Sequence, residues 1–344
     1  FLHGLPGVDQ VGAEARVATL GTRSIKTTAK AWALDLAIRM VDLTTLEGQD
    51  TPGKVRALAS KALQPDPTDP TCPSVAAVCV YGDMVGEVKD VVGDRVNVAA
   101  VAAATFYTGA EPNGKVEPGL PGIGNTHRPE DKQNFTQLLT VLREKLDALS
   151  ATNSGRRYLL TIAAADGEAA KGLEIAKIAR ILDWINLMTY DFYGSLTPTT
   201  GHHAALYRSR TAAPDSRNTQ QAVDEFIKAG APASKINIGL AFYGRTFGDV
   251  TVDHHGLHQR FGSDGGFISW QEIARDHLGK PGVVRYWDEQ AQSAWLWNEK
   301  QRRLISYDDP QALQAKARFV RQRGLGGVMY WEHAQDPDEH QFGE

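Results

Sequence analysis

Tyr190 and Asp191 put a phenol beside a carboxylate at the end of Trp184-Ile185-Asn186-Leu187-Met188, a short run rich in large apolar residues. Two later runs end in the same manner. Phe242 leads into Tyr243-Gly244-Arg245, and Val328-Met329-Tyr330 leads into Trp331-Glu332. Phenol, carboxylate, guanidinium and indole are groups that hold polar substrates and stack on flat ones. In a parallel α/β barrel, the carboxyl ends of the strands form the open mouth where chemistry is placed. The Tyr190-Asp191 pair therefore reads as a functional rim. It reads equally as the solvated polar end of an ordinary core strand, and the stretch by itself leaves both open.

The elements that would position these groups alternate in type. Pro129-Glu130-Asp131 opens a helix, with proline tolerated in the first turn and acids favouring the positive end of the dipole. Phe135, Leu138, Leu139, Leu142, Leu146 and Leu149 give that helix an apolar face. A strand over Tyr158–Ala163, a helix from about Ala169 to Leu182 and the Trp184 strand follow, which is the βαβ pattern of a parallel sheet. A helix over Thr219–Ala229 has Asn218 as N-cap and stops at Gly230. The strand Ile236–Phe242 comes next. A long excursion from about Thr246 to Tyr307 carries Trp270, Trp287, Trp295 and Trp297 as core of a small insertion, with β-like runs at Val283–Trp287 and Ala294–Trp297. A helix over Gln311–Arg323 and the strand ending at Trp331 close the series.

The first 115 residues are harder to read. They offer a helix-compatible piece at Ala29–Met40, β-like runs at Ser74–Tyr81 and Arg95–Tyr107, and a turn-rich connection over Gln64–Pro73. Their aromatic residues are only Phe1, Trp32, Tyr81, Phe106 and Tyr107, so the composition shifts near residue 115.

Composition limits the classes of partner. A net charge of −4 over 344 residues offers no general attraction to nucleic acid or acidic membranes. There is no apolar run of membrane-spanning length. Cys72 and Cys79 are too few for a disulfide framework or a zinc site, and whether they pair is open. His202-His203 and His254-His255 are adjacent pairs without the spacing that puts two metal ligands on one helical face, so no metal is expected.

Together, Met188-Thr189-Tyr190-Asp191, Phe242-Tyr243-Gly244-Arg245 and Gly327-Val328-Met329-Tyr330-Trp331-Glu332 resemble the sixth, seventh and eighth strands of glycoside hydrolase family 18. Arg128-Pro129-Glu130-Asp131-Lys132-Gln133-Asn134-Phe135 resembles the helix after the fourth strand in bacterial members, and Leu160-Thr161-Ile162-Ala163 the fifth strand. Pro232-Ala233-Ser234-Lys235 and Ile305-Ser306-Tyr307-Asp308-Asp309 are further matches. The resemblance covers roughly residues 116 to 336. It implies an α/β fold, a (β/α)8 TIM barrel over 1–344 with a small α+β insertion at about 246–307 between strands 7 and 8. It also implies a chitinase of endo type that cleaves β-1,4-linked N-acetylglucosamine polymers. In this family the acetamido oxygen of the substrate attacks the anomeric carbon, and a glutamic acid protonates the leaving oxygen.

By that resemblance Tyr190 bonds the acetamido oxygen and Asp191 binds the sugar at the cleavage point. Trp331 forms the floor under the same sugar, Met188 lines the subsite, and Tyr243 and Arg245 bind polar atoms of the substrate. Without the resemblance, Met188 reads as core and Arg245 as a rim ion pair. Leu196 stands near where relatives carry tryptophan. The implied partners are chitin or chito-oligosaccharides, with neither nucleic acid nor membrane, no cofactor and an extracellular location.

The resemblance fails in two respects. The Asp-x-x-Asp-x-Asp-x-Glu run that supplies the family's acid does not occur in this chain. Counting back from Arg128 puts Asn113 at the position of the acid, and an amide donates no such proton. Glu111 and Glu117 are the nearest carboxyls. Glu111 is carried as the acid, although both also read as exposed loop residues. No counterpart of the family's first three strands is legible before residue 116. Three explanations stand: a diverged N-terminal third, a lectin-like member that binds without cleaving, or a segment read out of frame.

Overall fold

Strand length and alternation determine what each segment builds, and the computed structural model describes residues 27–101, 129–153, 155–167 and 169–332. These fall into two compact units, one on either side of residue 104.

In the first unit, α1 (Thr27–Ile38) precedes β1 (Asp42–Thr44), α2 (Pro52–Leu63), β2 (Ala77–Tyr81), α3 (Val85–Val92) and β3 (Asn97–Val101). The three strands are parallel in the order β1-β2-β3, with Leu43 opposite Val78 and Val78 opposite Val98. Val55 and Ala59 of α2 and Val88 and Val92 of α3 are fully buried, as is Val78. A segment that reads poorly as sequence is thus a regular βαβαβ piece. Its strands are too short, and its buried residues too small, to give a strong periodic signal. One local cue is present: the Thr51 hydroxyl accepts from the Lys54 N–H, with Pro52 in the first turn of α2. Cys72 and Cys79 are both free thiols.

Among the described residues, the second unit opens with α4 (Asp131–Thr152), followed by β4 (Thr161–Ala164), α5 (Ile175–Ile181), β5 (Trp184–Leu187), α6 (Thr219–Lys228) and β6 (Ile236–Ala241). It ends with α7 (Pro310–Arg323) and β12 (Gly327–Trp331). The sheet order is β12-β6-β5-β4 and every pair is parallel. Ile185, Leu187, Ile236 and Ile238 face a core completed by Ile178 of α5 and Phe226 of α6. The opposite face of these strands carries Asn186 and Asn237, whose side-chain amides bond each other at 3.1 Å.

The structure amends four expectations. The strand expected over Tyr158–Ala163 is confined to Thr161–Ala164, because the Leu160 N–H and C=O are taken by Asp183, the N–H through its carboxylate and the C=O through its backbone. The helix expected over Ala169–Leu182 breaks into a 3-10 turn at Ala169–Gly172 and α5, with the break following Gly172, where glycine lowers helix propensity. Leu149 in α4 is exposed, since only Phe135 and Leu139 reach the core fully. The excursion begins before residue 246: β7 (Tyr243–Gly248) is already antiparallel sheet, separated from β6 by Phe242 alone. The Asn218 cap of α6 is as expected, its side chain accepting from the Gln221 N–H.

Between β6 and α7, strands β7, β8 (Ser263–Ser269), β9 (Val284–Asp288), β10 (Ser293–Asn298) and β11 (Arg303–Tyr307) form an antiparallel sheet in the order β8-β7-β11-β10-β9. Alternation in β10 sends Trp295 and Trp297 to one face with Phe247 and Leu304. Ala294 and Leu296 go to the other with Ile273, Ile305 and Tyr307. Both faces are packed, which is why this strand reads as a continuous apolar run.

Candidate functional site

The site starts where β5 ends. Met188 N–H still bonds the Ala164 carbonyl of β4, and then the chain turns tightly. The buried Thr189 hydroxyl accepts from the Gly239 N–H at 2.9 Å and donates to the Gly239 carbonyl at 3.0 Å. This side chain replaces the next ladder bonds to β6 and frees the backbone to lift Tyr190 over the sheet. The Tyr190 ring lies directly on Gly239, where a Cβ would come within 2.6 Å of Cε1. Only glycine at this strand position lets the ring settle there. The phenol oxygen is 3.8 Å from Met329 Sδ, a weak acceptor, so among the described residues its bonding capacity is largely unspent.

Asp191 adopts a left-handed backbone with φ of 61°, sparsely populated outside glycine and asparagine. Such strain persists where surrounding contacts over-determine it. Here Arg245 Nε donates to Asp191 Oδ1 at 2.9 Å, and His203 Nδ1 lies 3.8 Å from the same oxygen. Burial raises the carboxyl's pKa, but His203 and Arg245 outweigh it and hold the group below its ordinary value. Asp191 is therefore a fixed anion at neutral pH. Burial pushes the Tyr190 and Tyr243 hydroxyls up, and the Asp191 charge adds to this, so both stay protonated donors. Tyr243 is buried, with its ring 6.0 Å from Tyr190 and 5.2 Å from His203.

Trp331 ends β12 opposite Ala241, its carbonyl accepting from the Phe242 N–H, and it is 42% exposed. It lies two residues beyond Met329, so strand alternation puts it on the face that Tyr190 touches. Met188 shares the corresponding face of β5 with Asn186 and is half-buried. Six sequence-derived residues thus lie along one rim or against it. Tyr243 and Arg245 belong to the first strand of the insertion rather than to a parallel strand, which is how the insertion contributes polar groups. Glu111, like Glu117 and Asn113, lies outside the described residues.

Sequence reasoning did not find His203, Gly239 or Phe267. His203 comes to Asp191 because its N–H donates to Ser306 Oγ and its carbonyl accepts from the Phe192 N–H. No local pattern signals that. Gly239, by contrast, is a glycine inside an apolar strand, a signal of close approach. Among the described residues, no three His, Cys, Asp or Glu side chains are grouped to hold a metal ion. No described helix is long and apolar enough to cross a membrane.

A parallel α/β sheet whose strand ends carry a phenol, an anion and an exposed indole can hold a polar ring between hydrogen-bonding groups and a flat apolar face. Residues 109–336 match glycosyl hydrolases family 18. The chain belongs to that family. It is 38% identical to chitinase A1 of Niallia circulans over 227 residues, 62% of this chain and 32% of that protein. It is 36% identical to endochitinase 1 of Metarhizium robertsii over 210 residues, 59% of this chain and 48% of that protein. The chain thus spans less than two thirds of the length of these relatives. Among solved structures, a family 18 N-acetylglucosaminidase from Paenibacillus barengoltzii superposes with a TM-score of 0.65 at 31% identity. That match covers 87% of this chain and 88% of the other. The fold class is accordingly the (β/α)8 barrel class of the family. The likeness extends into the N-terminal part, where the sequence resemblance stops.

Proposed function

We propose that the protein is a chitinase that hydrolyses β-1,4-linked N-acetylglucosamine, with the acetamido group of the substrate as internal nucleophile. The observation that carries this reading is the Tyr190–Asp191 pair: a hydroxyl that meets, among the described residues, a thioether, next to an anion locked by Arg245. An acetamido group needs both. Its carbonyl oxygen takes the Tyr190 hydroxyl and its N–H faces the Asp191 carboxylate, so the oxygen is aimed at the anomeric carbon. The developing positive charge on the ring and the acetamido nitrogen lies beside that fixed anion, which stabilises it without reorganisation. Trp331 offers a flat apolar surface to the C–H face of the sugar, and Met188, Tyr243 and Arg245 complete the pocket.

The reaction also requires a group to protonate the leaving oxygen. Glu111 takes this role: it is the carboxyl nearest the position expected for the acid, and it falls within the matched segment. The polymeric substrate, chitin or its oligomers, sets the protein's work outside the cell.

Turnover of a chromogenic chitobioside, measured beside binding of chitotetraose, tests the reading. Hydrolysis lost in Glu111→Gln, with binding intact, is the expected result. Binding without turnover by the parent chain makes it a lectin instead, and absence of both rejects the reading.

A further inference from the structure

The guanidinium of Arg245 is gripped from three sides. Its Nε donates to Asp191 Oδ1 at 2.9 Å. Its Cζ lies 3.6 Å from the centroid of the Phe267 ring. On another side the bare backbone of Gly194, from the loop after β5, comes close enough that a Cβ there would lie 3.4 Å from Cζ. The residue is buried, whereas Phe267 is 48% exposed.

The stacking follows from register. Arg245 and Phe267 are direct partners across the antiparallel β7–β8 ladder, so their side chains rise from the same face. The register shifts one pair further on, between Thr246 and Phe247. Irregularities of this kind re-aim side chains next to functional sites. On its other flank Arg245 pairs with Ser306, the residue that holds His203. The ring of Phe267 also packs edge-on against Tyr243 at 5.3 Å. One phenyl ring of the insertion sheet therefore touches two of the groups that surround Asp191.

We propose that Phe267 is a positioning residue. By stacking on Arg245 it fixes the guanidinium that aims the Asp191 carboxylate, and through it the affinity for N-acetylglucosamine oligomers. A cation held against a ring face in a desolvated setting is attracted by the ring's quadrupole as well as by contact. Aliphatic bulk at the same place does not replace it. The identity of the ligand rests on the chitinase reading; the clamp itself does not.

The test compares Phe267→Leu, which keeps apolar bulk, with Phe267→Tyr, which keeps the ring. The first readout is hydrogen exchange of the Arg245 Nε–H by nitrogen-15 NMR, with the resonance assigned by its loss in Arg245→Lys. Exchange about tenfold faster in Phe267→Leu and near the parent rate in Phe267→Tyr is expected. The second readout is the Kd for chitotetraose by calorimetry, expected to rise about tenfold in the leucine variant and to recover in the tyrosine variant. Equal exchange in all three chains overturns the proposal, even if oligomer binding is intact. If both substitutions accelerate exchange alike, the role is packing and the proposal falls. A parent chain that binds no oligomer rejects the chitinase reading, and the exchange rates then judge the clamp alone.

Discussion

Tyr190 is half-buried and makes few polar contacts among the described residues, and that separates its functional from its structural contribution. Tyr190→Phe keeps the ring on Gly239 and removes only the hydroxyl. Chitobioside turnover is expected to fall on the order of 100-fold, the scale of a misaligned reacting group, with the melting temperature unchanged. Asp191→Asn behaves differently. Asparagine tolerates the left-handed backbone, but Arg245 loses its anion, so a loss of about 3 kcal/mol is expected at neutral pH. The Asp191 carboxyl is held below its ordinary value by His203 and Arg245, against the effect of burial. Its contribution is therefore complete above about pH 3.9 and is lost as pH falls through the depressed value. Urea midpoints of parent and variant should stay apart at about pH 5 and above and converge on acidification below about pH 4. The pair was legible in sequence because an apolar run ended abruptly in a phenol and an acid. Arg245 was legible too, as a guanidinium at the next strand end, but His203 was not, because backbone bonds between distant segments bring it to Asp191.

At the level of elements, β6 carries the least conspicuous requirement. By strand propensity alone, Gly239→Ala would stabilise. The Tyr190 ring reverses that sign: the new methyl would stand 2.6 Å from Cε1, and overpacking of this kind costs about 1 to 3 kcal/mol. A lowered melting temperature together with weaker chitotetraose binding is the expected outcome, and stabilisation with unchanged binding would contradict it. Elements with end signals were read well. Asn218 and Gly230 bounded α6, and Asp309 caps α7 with its carboxylate on the Ala312 N–H. Elements governed by tertiary competition were not. Asp183 claims the backbone that would have lengthened β4, and the break after Gly172 divides what periodicity alone joins. Of the N-terminal strands, β2 and β3 lie inside the runs expected at Ser74–Tyr81 and Arg95–Tyr107, whereas β1 escaped notice because three residues carry almost no pattern.

For the molecule as a whole, the proposed action of a mildly negative chain on an uncharged sugar leaves little role for long-range charge. Affinity for chitotetraose should change less than about twofold between about 0.05 M and about 0.5 M salt, because the Arg245–Asp191 ion pair is largely buried and screened weakly. Calorimetric titration at the two salt levels measures this, and a steep decline would indicate a charged ligand instead. Family membership was legible from three rim sequences spread over residues 188–332. The acid was not, because its expected run is missing from the sequence and its segment lies outside the described residues.

The antiparallel excursion leaves and rejoins the parallel sheet through neighbouring strands, with Gly244 of β7 opposite Tyr307 of β11. Its two stems are thus already zipped together, and the module could be exchanged between relatives as a cassette without re-threading the rest of the chain. Such a graft would not be neutral. Tyr243, Arg245 and Phe267 travel inside the cassette, so the recipient would inherit the donor's grip on the anion, and ligand preference would migrate with the transplanted piece.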